Sequence, residues 1–140
     1  MKKLIIPAIF LILLFSCKKD RIMDNHLTNG KDILISNSLY ANSSKDPLLI
    51  SNAVIENDSL KISFGASCCS GNNWVISLVG SADILYSDPP QRLIRLSLEN
   101  TEDCLAVCGR TVVFNLEPAQ IQGGVIILDL QGWGSLKYNY

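Results

Sequence analysis

The sequence has almost no histidine, the side chain that enzymes use most often for proton transfer. Of its 140 residues only one is a histidine, His26, and it lies in a polar stretch rich in Asn, Ser, Lys and Asp. Ser-His-Asp and Cys-His catalysts need a histidine fixed beside the nucleophile. The carboxylates of Asp83, Asp88 and Asp129 lack a motif that would position them as a glycosidase pair. We therefore expect a protein that is not an enzyme and carries no cofactor.

A long apolar run is missing as well. The longest spans residues 4–15 and is too short for a membrane-spanning helix, which needs about 20 residues. Lys2 and Lys3 precede it, and "LFSC" follows, with small Ser16 directly before Cys17. This order is typical of a bacterial lipoprotein signal peptide that is cleaved before a diacylated cysteine. An ordinary signal peptide with an incidental Cys17 is the alternative.

The predicted signal divides the chain into three segments. Residues 1–16 are the lipoprotein signal peptide, residues 17–47 are the lipidated N-terminus with a polar tether, and residues 48–140 are the folded domain. The one apolar cluster in the tether, Ile33 to Ile35, is expected to form a short strand or to dock on the domain.

Acylation of Cys17 would make the lipid bilayer a partner, since each buried CH2 contributes about 0.8 kcal/mol. Lys18 rather than Asp follows the cysteine, which favours the outer membrane and leaves open its periplasmic face or the cell surface.

Basic residues are scarce in the remaining chain. Without the signal peptide, ten basic side chains stand against thirteen acidic ones, a net charge of −3. No basic patch or stripe is present, which argues against nucleic acid as a partner.

The domain sequence alternates between apolar and polar residues. Period-two runs with turn signals between them predict half-buried strands, and no segment shows a sustained helical period. We expect an all-β fold, an antiparallel β-sandwich or small barrel of about 6–8 strands. The predicted inner faces are Leu60, Ile62 and Phe64; Trp74, Ile76 and Leu78; Ile94, Leu96 and Leu98; Val112, Phe114 and Leu116; and Ile126, Leu128 and Leu130.

The order of motifs resembles a known class of proteins. A lipobox is followed by "ENDSLKISFGASC", the strand "NWVISLVG", the turn in "SDPPQRLIRLSLEN", the loop "TEDCLAVC", then "VVFNLEP" and "GVIILDLQGWGSLKYNY". This is similar to the small β-sandwich lipoproteins of Bacteroidota, of the broad NigD-like type. Those proteins often carry a histidine where this chain has Trp74, and one cysteine per loop where this chain has two. The resemblance implies fold and anchoring and no particular activity.

Four cysteines lie in two loops, as "CC" at Cys68 and Cys69 and as "CLAVC" at Cys104 and Cys108. Export to an oxidising compartment favours disulfides, and four cysteines allow three connectivities. Bonding between adjacent cysteines is disfavoured, because Cα atoms about 3.8 Å apart lie below the usual window. Two connectivities between the loops remain open: Cys68–Cys104 with Cys69–Cys108, or the crossed version. One disulfide with two free thiols is a further possibility.

A thiol-redox or metal-binding centre is the alternative use of the same four cysteines. Four thiolates can hold zinc or another soft metal, but the usual C-x-x-C spacing is absent. A redox thiol would also prefer C-x-x-C at the start of a helix.

Three weaker signals remain. "DSL" at residues 58–60 matches a short O-glycosylation sequence of Bacteroidota on a predicted turn, which makes Ser59 a candidate for modification. Trp133 in "QGWG" is the better candidate for an exposed aromatic, because Trp74 lies in a strand and is expected in the core. The carboxylates in "ENTED" lack the alternating pattern of a calcium loop and indicate a solvated turn.

These observations favour a membrane-anchored envelope lipoprotein that acts as a non-catalytic binding or assembly module. Its expected partner is a protein or a glycan. The alternative function is an envelope thiol-redox or metal-binding protein that uses the four paired cysteines.

Overall fold

The computed structural model describes residues 30–140. The predicted signal peptide, Cys17 and His26 lie outside the described residues. The elements in chain order are β1 (Lys31–Asp32), β2 (Leu34–Ile35), α1 (Asn37–Asn42), β3 (Leu49–Glu56), β4 (Ser59–Cys68), β5 (Val75–Gly80), β6 (Gln91–Glu99), β7 (Ala106–Asn115), a 3-10 turn (Glu117–Ala119), β8 (Val125–Leu130) and β9 (Gly134–Asn139).

Two sheets enclose one core, which confirms the all-β sandwich. One has four strands in the order β1-β7-β4-β3, and the other has five in the order β2-β5-β6-β8-β9. The sheets are mixed rather than purely antiparallel, since β1 with β7, β2 with β5 and β6 with β8 run parallel. The parallel pair β6–β8 follows from the path of the chain. After β6 the chain passes to the other sheet and forms β7, and it then returns to form β8 beside β6 in the same direction.

The core consists of the alternating apolar residues that the sequence predicts. All fifteen members of the predicted inner faces are buried, and they form one cluster that draws on both sheets. Tyr138 on β9 is the largest fully buried side chain. Its ring lies 4.8 Å from that of Tyr140, centroid to centroid, so the two tyrosines share a face as their spacing predicts.

Residues 30–47 pack against the sandwich. β1 pairs with β7, β2 pairs with β5, and Ile33 between them is 2 % exposed. The segment at Ile33 to Ile35 therefore crosses from one sheet to the other. The packed part of the chain begins before residue 48, the predicted start of the domain, because this apolar cluster supplies both a buried side chain and backbone pairs.

Helix α1 follows directly and was not predicted, because six residues are too few to display a helical period. Ser36 caps it, accepting a hydrogen bond from the Leu39 N–H at 3.3 Å. Arg95 of β6 covers it, with its guanidinium 4.5 Å from the Tyr40 ring centroid. None of the helical segments described for residues 30–140 has the length and apolarity that a membrane crossing requires.

The sandwich has two ends of different composition. The disulfide end contains the β4–β5 loop (residues 69–74) and the β6–β7 loop (residues 100–105). The tyrosine end contains the β3–β4 turn at Asp58, the segment from Gln120 to Ile121, and the side chains of Tyr138 and Tyr140, which hydrogen-bond to these residues.

Candidate functional site

The register of β4 against β7 brings the cysteines of the two loops together. Cys68 lies opposite Ala106, two residues before Cys108, so Cys68 and Cys108 are diagonal neighbours on the inner face. They form a disulfide with their Cα atoms 5.8 Å apart. Cys69, the first residue after β4, is bonded to Cys104 with a Cα separation of 5.1 Å. The structure therefore has the crossed version of the two connectivities that the sequence leaves open.

The two disulfides differ in their access to solvent. Cys68 is completely buried, and Cys108 packs against the hydrophobic core. Cys69 is exposed. One bond is therefore part of the core, while the other is accessible to reagents and to other proteins.

A carboxylate connects the same two loops. Glu102 accepts hydrogen bonds from three successive backbone N–H groups, those of Cys69 at 2.7 Å, Ser70 at 3.0 Å and Gly71 at 2.8 Å. The Ser70 hydroxyl donates a fourth at 3.1 Å. Successive N–H groups form an anion-binding nest. These bonds, led by the one from Gly71, lower the pKa of Glu102 to about 2.

Asn100 fixes the start of the β6–β7 loop. Its N–H donates to Asp46 at 2.8 Å, and its side-chain amide donates to the Ser67 carbonyl at 2.8 Å. Its side-chain oxygen accepts from the Glu102 N–H at 2.9 Å. In addition to its disulfide, the β6–β7 loop is therefore hydrogen-bonded to Asp46 before β3, to β4 and, through Glu102, to the β4–β5 loop.

Arg110 and Trp74 stack on each other beneath the loops of this end. The Arg110 guanidinium lies 4.9 Å from the Trp74 ring centroid and donates to the Gly71 carbonyl at 2.7 Å. Trp74 in turn packs against Phe64, with ring centroids 5.7 Å apart. Gly71 has φ +72°, and a Cβ there would meet the Arg110 guanidinium at 3.3 Å, so the turn requires glycine. The sequence identifies Trp74 as a core residue but gives no sign of this stack.

Two large apolar side chains are exposed at this end. Leu105, beside the exposed disulfide, is 103 % exposed relative to its reference state, and Val107 at the start of β7 is 76 % exposed. Tyr86, in the β5–β6 loop at the opposite end, is exposed to a similar degree, 101 %. Leu105 and Val107 differ from it because they lie on a frame that two disulfides and the Glu102 nest hold in place.

Two other predicted positions are located as follows. Ser59 is the first residue of β4 and is half-buried between Glu56 of β3 and Asn115 of β7, not on the turn itself. Its modification stays a prediction. Trp133 is 43 % exposed and Trp74 is 7 % exposed, as their positions in the sequence predict.

The described residues do not form a metal site. Within residues 30–140 no three His, Cys, Asp or Glu side chains come together as metal ligands. All four cysteines of the loops are in disulfides, so thiolate ligation would first require their reduction. Glu102, the central carboxylate of "ENTED", is turned towards the backbone nest.

Comparisons with known proteins identify the fold. No protein-family model and no curated protein matches the chain. A NigD-like immunity protein from Bacteroides caccae has a similar structure, with a TM-score of 0.59 at 10 % identity over 77 % of this chain and 58 % of its own. A protein of unknown function, DUF1344, from Bacteroides vulgatus has a TM-score of 0.52 at 15 % identity over 79 % of this chain and 55 % of its own.

These similarities confirm the predicted resemblance to proteins of the NigD-like type at the level of fold. The chain spans little more than half the length of either solved structure.

Proposed function

We propose that this protein is a lipid-anchored envelope protein that acts as a non-catalytic binding module and presents the disulfide end of its sandwich to a protein or glycan partner. Its anchor would be the acylated Cys17 in the outer membrane. The support for the anchor is the order of the n-region, apolar run and cysteine in the sequence.

The exposure of Leu105 and Val107 is the observation that carries the binding role. Exposing two neighbouring large apolar side chains to water is unfavourable, and their burial by a partner would stabilise a complex. Exposed apolar patches commonly mark interaction sites. Leu105 lies on the β6–β7 loop and Val107 lies at the start of β7. The β6–β7 loop is joined to the β4–β5 loop by Cys69–Cys104 and by the Glu102 nest. A partner that binds there has little loop entropy to remove, which favours affinity.

The solved neighbours are compatible with a non-catalytic role. One is described as an immunity protein and the other as a protein of unknown function, and neither title names an enzyme. This is support from fold alone, so the partner has to be identified by experiment.

Site-specific photo-crosslinking in cells tests the proposal. A photoreactive phenylalanine analogue replaces Leu105 in the full-length lipidated protein, and the matched control places it at Tyr86, equally exposed at the other end. We expect a discrete adduct from position 105 and none from position 86. Equal adducts from both positions, or none from position 105, would contradict a binding role for the disulfide end.

A second candidate function is thiol–disulfide exchange, favoured by the exposure of Cys69. A thiolate of a partner would attack the Cys69 sulfur, forming a mixed disulfide with Cys69 and releasing Cys104 as a thiolate. In the reverse direction, the free Cys69 thiolate of a Cys104→Ala variant would attack a disulfide of the partner and release one partner thiolate, and no Cys104 remains to resolve the mixed disulfide. An exchange protein should therefore be isolated from the envelope as Cys104→Ala with Cys69 bonded to another protein, and a binding module should not.

A further inference from the structure

The outer edge of β7 is open along most of its length. β7 runs from Ala106 to Asn115, but its outer neighbour β1 pairs only with Phe114 and Asn115. Among the described strands, residues 106–113 therefore have a partner, β4, on one side only. An uncovered edge presents unpaired backbone donors and acceptors, which another extended chain can complete.

The hydrogen bonds identify which groups face outward. The Ile33 N–H donates to the Asn115 carbonyl at 3.0 Å, so Asn115 faces the outer edge. The β4–β7 register continues without a shift to Cys68 and Ala106, so every second residue before Asn115 faces the same way. The outward N–H and C=O groups are those of Val107, Gly109, Thr111 and Val113.

The other edges carry protection that this one lacks. β3, the opposite edge of the same sheet, has a register shift between Ile50 and Asn52. β9 carries exposed Lys137, and β5 is covered by β2 at Val79 and Gly80 and is also in contact with helix α1. Bulges, lysines and covering segments are the usual means of blocking edge pairing. Residues 106–113 have no bulge, proline or lysine.

The charge around the open edge is negative. At its β1 end, Asn115 donates to the carboxylates of Asp32 at 2.9 Å and Glu117 at 3.3 Å. At the disulfide end stand Glu102 and exposed Asp103. Three basic side chains are close by: Lys31 on β1, Lys61 on β4 opposite Val113, and Arg110.

Of these three cations, Arg110 is occupied by the Gly71 carbonyl and the Trp74 ring. Residues 30–140 carry seven basic and eleven acidic side chains, a net charge of −4.

We infer that the open β7 edge binds an extended segment of a partner protein as an added strand, and that this segment is basic at its ends. Backbone pairing with Val107, Gly109, Thr111 and Val113 would supply affinity. The apolar residues of the segment would cover Val107 and Leu105, and its cations would lie near Asp103 and Asp32. The inference rests on the proposed binding function and names the geometry and chemistry of the partner.

A second copy of this chain is a less suitable occupant. Antiparallel self-pairing of β7 would bring the acidic β6–β7 loop of each copy towards Asp32 and Glu117 of the other. Like charges at both ends of the added strand disfavour this pairing.

Selection from a random peptide library on the purified full-length protein, with both disulfides intact, provides the test. Gly109→Pro removes one outward N–H. The nearest atom to a Cβ at this position is the Phe64 carbonyl oxygen at 3.9 Å, so the proline Cβ makes no close contact. Gly109→Ala keeps the N–H and is the matched control. Lys137→Pro, on the unpaired edge of β9, controls for proline itself.

We expect selected peptides with alternating apolar residues and flanking Lys or Arg. They should bind Gly109→Pro at least about tenfold more weakly than the wild type, and Gly109→Ala and Lys137→Pro normally. Binding should weaken with added salt. Hydrogen exchange with bound peptide should slow at the four outward amides, and urea unfolding of each variant checks its fold.

Three results would overturn the inference: no enriched peptide, enriched peptides that bind Gly109→Pro as well as Gly109→Ala, or self-association that Gly109→Pro abolishes. If the inference fails while the adduct at position 105 persists, the binding function stands and the partner engages the loops without adding a strand.

Discussion

The two ends of the sandwich hold their connecting segments in place with different bonds. At the disulfide end, Cys68–Cys108 and Cys69–Cys104 join the loops covalently. At the tyrosine end, the Tyr138 hydroxyl donates to Asp58 at 2.5 Å and accepts from the Gln120 amide at 2.8 Å. Tyr140 likewise donates to the Ile121 carbonyl at 2.6 Å.

The difference follows from what each end buries. Tyr138, Leu116 and Ala119 are completely buried, so the tyrosine end gains hydrophobic stabilisation from its own connections. The β6–β7 loop exposes Leu105 and gains none from it. A loop that presents its apolar residue to solvent needs another source of order, and here disulfides and the Glu102 nest supply it.

Removing the buried disulfide should have the largest effect on stability. The Cys68→Ala, Cys108→Ala double variant leaves a small cavity in the core, while Cys69–Cys104, with a sequence separation of 35 residues, still closes nearly the same loop. We expect a loss of about 2–4 kcal/mol in the free energy of unfolding, most of it from lost core packing, measured by urea denaturation.

The Cys69→Ala, Cys104→Ala variant is the matched control for that experiment. Removing its bond changes loop closure by a similar amount, because Cys68–Cys108 still closes nearly the same loop. It leaves no cavity in the core, so the expected loss is only about 1–2 kcal/mol. Equal losses for the two double variants would mean that burial does not distinguish the bonds.

Removing a single hydroxyl from the tyrosine end should lower stability less than removing the buried disulfide from the other end. Tyr138→Phe removes the donor to Asp58 while keeping the buried ring, and we expect a loss of about 1–2 kcal/mol. Burial of the hydroxyl raises the pKa of Tyr138 to about 12, with a further contribution from Asp58. Because the folded-state pKa lies above the ordinary value of 10, stability from this group is complete below pH 10 and is lost as the pH rises towards 12.

Urea denaturation between pH 8 and pH 12 checks this prediction. The wild type should lose stability across the upper part of this range faster than Tyr138→Phe does. Tyr140→Phe, which alters a more exposed hydroxyl, is the control and should follow the wild type. Parallel curves for the wild type and Tyr138→Phe would rule out the proposed coupling.

The comparison of the ends also separates what a sequence can predict from what it cannot. Alternation identified the buried faces around Leu60, Ile94 and Ile126, because side-chain direction in a strand is a local property. Disulfide connectivity depends on the register between β4 and β7, which neither loop encodes. The Glu102 nest was missed for the same reason: its donors lie at Cys69, Ser70 and Gly71, more than 30 residues earlier in the chain.

Order in residues 30–47 was underestimated for another reason. Their polar composition is that of a tether, but Ile33 is buried in the core and Ile35 packs against it. Asn37 then accepts from the Ala82 N–H at 2.7 Å and the Ser81 hydroxyl at 2.9 Å. A single buried side chain and a few long-range hydrogen bonds leave too weak a pattern for periodicity to detect.

The smallest effect should come from Glu102, because its loops are already joined by disulfides and its carboxylate faces solvent. Its pKa, about 2, lies below the ordinary value of 4.5, so its contribution to stability is complete above pH 4.5 and is lost as the pH falls towards 2. Glu102→Gln should therefore be less stable than the wild type at pH 6 and similar to it at pH 2, as measured by urea denaturation. Asp103→Asn, one residue along, should keep the wild-type pH profile. If Glu102→Gln instead follows the wild type at every pH, the nest contributes nothing to holding the disulfide end, and the covalent bonds alone determine its geometry.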